Sequence, residues 1–154
     1  WCLRHSGHAY DADGTFAASG RLDADLLARL LDEPWFALAP PKSTGRDLFH
    51  RAWLDAHLQS FAGARREDVQ ATLAEFTAAA CANAARAFGG AAQELLVCGG
   101  GALNGHLLDR LGALLPGVLG GGGRQGGAAG QSECTQCQGE CANAAAKHVF
   151  AMGV

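Results

Sequence analysis

A membrane span, a secretory leader and a basic surface are all missing from this sequence. No apolar run approaches the roughly 18 residues that a bilayer-crossing helix needs, and the first residues lack the basic-then-apolar order of a signal peptide. The cytosol is the expected compartment. Lys and Arg number 12 against 15 Asp and Glu, a formal charge of −3, so nothing draws the chain to nucleic acid or to an anionic membrane surface. No disulfide framework is indicated either, because Cys2, Cys81 and Cys98 sit in apolar or helical surroundings and read as buried thiols. His5, His8, His50, His57 and His106 share no spacing that would make a ligand set. The chain begins with Trp1 rather than Met, and the expectation is a piece of a longer polypeptide or a processed product. What remains is 154 residues with 49% hydrophobic content, enough for one domain with a real core.

One further absence is informative. In "APPKSTGRDLF" at 39–49, Lys42-Ser43-Thr44 has the ending of a phosphate-binding loop, yet no glycine precedes the lysine. Such a loop wraps phosphates with backbone N–H groups that no Cβ obstructs. Pro40 and Pro41 carry no N–H and impose an extended approach. If this stretch meets a ligand, it does so through side chains: Lys42 and Arg46 as cations, Ser43 and Thr44 as hydroxyls. The plainer reading is a loop in which Ser43 or Thr44 caps the next helix.

Periodicity divides the rest. Leu22, Leu26, Leu27, Leu30 and Leu31 form one helical stripe between Arg21 and Leu31, closed by Pro34. A second helix is expected over 47–61, with Phe49, Trp53, Leu54, Leu58 and Phe61 inward and Asp47, Arg51 and Asp55 outside. Trp35, Phe36 and Trp53 read as core anchors rather than a sugar-stacking platform. Arg66 to Phe88 reads as a long helix with Val69, Leu73, Phe76, Ala80 and Ala84 on one face, ended by Gly89-Gly90. Asp11 and Asp13 in "YDADG" read first as an Asp-Gly turn, with carboxylates near a sugar or a metal as the alternative.

The period then changes. "QELLVC" at 93–98 has strand character, Gly99-Gly100-Gly101 follows, and Leu103, Leu107, Leu108, Leu111, Leu114 and Leu115 resume a helical pattern. A strand, glycine loop and helix in that order put bare backbone beside a helix N-terminus, where an anion or a flat ring can approach. Asn104 stands where its amide can reach a ligand or cap the helix. A tight strand-to-helix turn is the simpler account of the same residues.

Twenty-two glycines are many for this length, and seven lie between Gly120 and Gly130. "LGGGGRQGGAAGQ" buries almost nothing and is expected to be flexible. Beyond it, Cys134, Cys137, Cys141 and His148 follow a C-x2-C-x3-C-x6-H spacing with four ligands of the kinds that hold Zn²⁺. Only glycine precedes that run and alanine follows it, which is poor support for a structural metal site. A shifted reading frame near the end of a gene would also produce such a tail.

Four blocks, "WCLRHSGHAYDADGTFAASG" at 1–20, "LLDEPWFALAPPKSTGRDLFHRAWLDAHL" at 30–58, "DVQATLAEFTAAA" at 68–80 and "LLVCGGGALNGHLLDRL" at 95–111, together resemble the anhydro-N-acetylmuramic acid kinase family over about residues 1 to 118. The resemblance implies an α/β fold, a partial second domain of the actin-like ATPase, sugar kinase and Hsp70 group, helix-rich with a strand–Gly loop–helix unit. Residues 1–118 would be the partial kinase domain from the carboxyl-terminal half, and 119–154 a tail unlike the family. It implies a bacterial cytoplasmic enzyme of peptidoglycan recycling that uses ATP and Mg²⁺ to phosphorylate 1,6-anhydro-N-acetylmuramic acid while water opens the anhydro ring. Gly99, Gly100, Gly101 and Asn104 become nucleotide contacts on that resemblance, and Lys42, Ser43, Thr44 and Arg46 become residues in or near the cleft. Sugar and ATP are the implied partners of the complete enzyme, with homodimerisation left open.

The departures from the family matter equally. The amino-terminal domain with its Gly-Thr-Ser-type phosphate loop is missing, and the aspartate expected as general base falls upstream of Trp1. This chain by itself is therefore expected to be inactive. Two other classes stay open: a non-catalytic helical interaction module whose glycine loop is only a turn, and a small zinc-binding protein working through the cysteine-rich tail.

Overall fold

The computed structural model describes residues 1–90, 94–118 and 149–151. Among the described residues six α-helices carry the architecture: α1 (Cys2–Ser6), α2 (Thr15–Ala18), α3 (Ala24–Leu31), α4 (Arg51–Leu58), α5 (Arg66–Phe88) and α6 (Gly105–Leu114). Single 3-10 turns at Ala12–Gly14, Pro34–Ala37, Gln59–Phe61 and Gly100–Leu103 link or extend them. Strand β1 (Leu96–Cys98) pairs in parallel with β2 (Val149–Ala151), Leu96 opposite Val149 and Cys98 opposite Ala151. The chain is helix-rich, as expected.

Helix α5 is the axis. Its 23 residues span about 35 Å at 1.5 Å per residue, and its two halves serve different cores. In the first half, Val69 packs with the fully buried Leu26 and Leu30 of α3, and Trp1, Trp53, Leu54, Leu58, Phe61, Leu73 and Phe76 close around them. In the second half, Ala78 and Ala82 receive Leu107, Leu111 and Leu115, spaced one helical turn apart along α6, together with Leu95. Alanine at those positions lets α6 approach closely, and each leucine so covered contributes roughly 1.5–3 kcal/mol over an exposed one. Rings lie on the first core as an aromatic cluster: Phe36, Phe49 and Trp53 all sit within 6.0 Å of the Phe76 ring centre. Trp35 and Phe36 meet edge to face at 5.4 Å.

Two buried polar groups on α5 fix its neighbours. Thr72 is fully buried, donates to Asp68 O at 2.7 Å and accepts from Asp23 N at 3.0 Å. Asp68 in turn accepts from Arg21 N at 2.8 Å. These bonds hold the segment before α3 against α5, so α3 begins at Ala24, capped by Asp23, and not at Arg21. Leu22 is left 48% exposed, outside the stripe to which its spacing assigned it. Glu75, 7% exposed, accepts from Arg110 Nε at 2.6 Å and from an Arg110 terminal nitrogen at 3.2 Å, tying α5 to α6.

Other boundaries move for local reasons. Gly45 N donates to Asp47 Oδ1 at 2.9 Å, and Gly45 O accepts from Leu48 N and Phe49 N, so residues 45–49 close into a turn. Helix α4 therefore starts at Arg51, and its cap is His50, whose Nδ1 accepts from Trp53 N at 3.1 Å. Ser43 and Thr44 do not cap it. Leu103 belongs to a 3-10 turn and is 81% exposed, because Asn104 starts α6 only after it. Cys2 is buried, and burial pushes the Cys81 thiol up to about 11, which suits a packing role.

Two predictions follow from these contacts. Arg110→Met should cost about 2 kcal/mol in urea denaturation by orphaning the buried Glu75 carboxylate; the cost stays below that of a fully buried pair because the Arg110 side chain is 39% exposed. The double variant Glu75→Leu with Arg110→Met should recover most of that loss, and a simple sum of the two single effects would refute the coupling.

His5 and His57 are both held below the ordinary 6.5. Burial is the main cause for each, aided by Arg4 and Arg66 at His5 and by Arg29 at His57; Asp55 and Glu33 oppose it. Their Nε2 atoms are buried without a partner. The unfolded chain therefore takes up protons first as pH falls. Stability is unaffected by these groups well above 6.5 and declines as pH falls through and below that value. The melting temperature should drop over that interval, and His57→Phe should flatten part of the drop.

Candidate functional site

The end of β1 delivers the chain to Gly99, whose φ of 75° and ψ of −160° belong to a region that only glycine enters cheaply. Residues 100–103 then turn once, closed by Ala102 N to Gly99 O at 3.1 Å and Asn104 N to Gly101 O at 3.2 Å. Gly101 is buried against Leu107, whereas Gly99 and Gly100 are exposed. Among the described residues, no atom beyond Gly100 and its chain neighbours lies within 4 Å of the place where a Cβ on Gly100 would stand. The exposed backbone at Gly99–Gly100 is thus open to an approaching group.

Asn104 does what the capping reading of it requires: its Oδ1 accepts from Leu107 N at 2.9 Å and starts α6. The "YDADG" loop is docked on the same junction. Asp13 Oδ1 accepts from Gly105 N at 2.8 Å. A Cβ on Gly105 would fall 2.5 Å from Asp13 Oδ1, and one on Gly14 would collide with Asn104 Oδ1 and lie 2.5 Å from His106 Cβ. The two loops therefore interlock through paired glycines, each leaving room for the other's side chain. Asp11 accepts from Phe16 N and Ala17 N of α2 at 2.8 and 2.9 Å and from Gln70 Nε2 of α5 at 3.2 Å. It caps α2, in keeping with the turn reading.

The Lys42–Arg46 stretch lies elsewhere on α5. Lys42 Nζ donates to Trp35 O at 3.2 Å and Phe36 O at 2.8 Å, over the Trp35 ring at 4.6 Å and 5.9 Å from the ring centre of Phe88, the last residue of α5. Its charge is directed at the carbonyls of the Pro34–Ala37 turn. Ser43 is exposed, Thr44 half-buried, and Arg46 exposed with no ion pair among the described residues. The glycine-loop junction touches the first half of α5, through Gln70 to Asp11 and, one and a half turns along α6, through Glu75 to Arg110. From Glu75 to Phe88 is about 20 Å along the helix. No hydrogen bond, ion pair or ring contact joins Lys42–Arg46 to Gly99–Asn104 among the described residues. Asp13 was the residue sequence reading undervalued, since nothing in its local spacing announces a partner 92 positions away.

Among the described residues no group of three His, Cys, Asp or Glu side chains converges as a cation cage, and no helix is long and apolar enough to cross a membrane. Cys134, Cys137, Cys141 and His148 lie outside the described residues.

A family model described as anhydro-N-acetylmuramic acid kinase matches residues 1–132. Curated relatives carrying that name include one from Albidiferax ferrireducens, 55% identical over 116 residues, which is 75% of this chain and 30% of the relative. One from Variovorax paradoxus is 56% identical over 118 residues, covering 77% of this chain and 32% of the relative. Another from Bordetella pertussis is 58% identical over 114 residues, covering 72% and 30%. The chain spans roughly a third of the length of the curated relatives it matches. At this identity over most of its residues, the chain belongs to the anhydro-N-acetylmuramic acid kinase family.

Proposed function

We propose that this chain is the nucleotide-side portion of an ATP-dependent anhydro-sugar kinase, part of the second domain of an actin-like fold, working in cytoplasmic peptidoglycan recycling. The observation that carries the reading is the family match across the segment that holds the glycine loop, combined with exposed backbone at Gly99 and Gly100 and open space around Gly100. Gly99 and Gly100 receive the nucleotide along their bare backbone, with Gly101, buried against Leu107, supporting the turn and Asn104 beside them. Residues 1–118 are the main kinase portion; the family match runs on to residue 132, and Val149–Ala151 of the remaining segment pairs with β1.

In the complete enzyme the substrate is 1,6-anhydro-N-acetylmuramic acid. A carboxylate takes a proton from water as the water oxygen bonds to the anomeric carbon. The bond from that carbon to the 6-oxygen breaks, and the 6-oxygen receives the γ-phosphoryl group of ATP, leaving ADP. On this reading the base is an aspartate supplied from outside this segment. On the same reading, Mg²⁺ on the phosphates is held by donors from elsewhere in the enzyme. Of the cleft residues, Arg46 and Ser43 are exposed and can meet a ligand directly, with Thr44 half-buried beside them. Lys42 supports them by tying the loop to the Pro34–Ala37 turn.

Calorimetric titration of the chain with ADP tests the reading. Weak, saturable binding is expected, lost in Gly100→Val with no change in melting temperature because that position has empty space around it. Gly99→Ala should instead lower stability by about 1–3 kcal/mol, the cost of a side chain in that backbone region. No heat of binding, or equal binding by Gly100→Val, would favour a helical module whose glycine loop is only a turn.

Incubated with ATP and the anhydro sugar, the chain by itself should release no ADP. Turnover would overturn its assignment as an incomplete enzyme. Metal content after purification under reducing conditions decides the zinc reading of Cys134, Cys137, Cys141 and His148.

A further inference from the structure

Asp13 is the one non-glycine residue with positive φ among the described residues, at φ 54° and ψ 12°. Aspartate tolerates that region better than most residues, yet the conformation costs on the order of 1 kcal/mol and persists where the surroundings hold it. Gly105 N holds it from 92 positions away, and the paired glycines leave it no slack.

Four backbone donors at the junction are occupied, among them the first and third N–H groups of α6. Ala102 N and Asn104 N bond within the loop to Gly99 O and Gly101 O. Gly105 N goes to Asp13 and Leu107 N to the Asn104 side chain. In a phosphate cradle such N–H groups point at the ligand. At α6 a carboxylate already stands there, favourable to the helix dipole and repulsive to a second anion.

We propose that Asp13 is a specificity-determining positioning residue, which fixes the start of α6 and denies it to phosphate, so that the uncharged nucleoside lies along Gly99–Gly101 with its phosphates directed away from α6. The proposal rests on the nucleotide reading of the glycine loop. Asp13→Asn separates charge from shape, since asparagine keeps an acceptor oxygen and tolerates the left-handed region.

The amide resonances of Gly100 and Gly105 in the 154-residue chain, titrated separately with adenosine, AMP and inorganic phosphate, give the readout. In the parent chain adenosine should move Gly100, and phosphate should leave Gly105 in place. In Asp13→Asn phosphate should move Gly105, and the affinity for AMP relative to adenosine should rise about two- to fivefold, the range expected for one charge at a helix end. A merely structural Asp13 would leave that ratio unchanged, which overturns the proposal, as does a phosphate response at Gly105 in the parent chain. Should adenosine move nothing in either protein, the nucleotide reading falls and the phosphate arm alone decides the role of Asp13: a response gained in Asp13→Asn supports it, and no gain refutes it. If Asp13→Asn does not fold, Asp13→Gly removes charge and φ strain together and carries the same readout.

Discussion

Helix α5 has to satisfy two cores at once, and the rest of the structure is arranged around that constraint. Its first half offers Val69, Leu73 and Phe76 to a core built of large side chains from α3, α4 and the aromatic cluster. Its second half offers alanines, so that the bulk there comes from the leucines of α6. Exchanging the two compositions would leave voids on one side and clashes on the other, because interiors are packed as densely as organic crystals. The helix can be this long only because both halves are covered, since helical propensity alone is a weak source of stability.

Position along α5 is then set by polar groups, which have directional requirements that apolar packing lacks. Thr72 and Asp68 take backbone N–H groups from the segment before α3, and Glu75 accepts two hydrogen bonds from the Arg110 guanidinium. A buried acceptor left unpaired costs more than a formed bond contributes, so these contacts define where α3 and α6 sit even where they add little net stability. Because α6 is placed in this way, its N-terminus meets the Asp13–Gly14 turn, and the glycine loop inherits its position from both.

The electrostatic character of the two candidate regions differs for the same reason. Around the glycine loop, Ala102 N and Asn104 N bond within the turn and a carboxylate occupies the helix end, so the exposed surface left at Gly99 and Gly100 is backbone without a Cβ. In the 39–46 loop the lysine is turned onto carbonyls and an indole face. Cation over ring and charge-assisted bonds to two carbonyls make that lysine a clamp. The arginine four residues on keeps its charge in solvent. Two residues of the same sign in one motif therefore have different physical work.

By itself the sequence determined the elements whose signal is local and repeated. The span of α5 was legible to the residue, as were the strand–glycine loop–helix order, the stripe Leu107, Leu111, Leu115 and the aromatic anchors, because period and punctuation depend only on neighbours along the chain. Family membership was legible too, carried by four ordered blocks within residues 1–111. Tertiary structure decided the rest. Arg21 and Asp23 join α5 and not an earlier start of α3, His50 replaces Ser43 and Thr44 as a cap, Lys42 faces carbonyls, and Asp13 finds Gly105. Each of those outcomes turns on a hydrogen-bond partner that is either far away in sequence or chosen among several nearby, and only the folded backbone settles which donor arrives within reach.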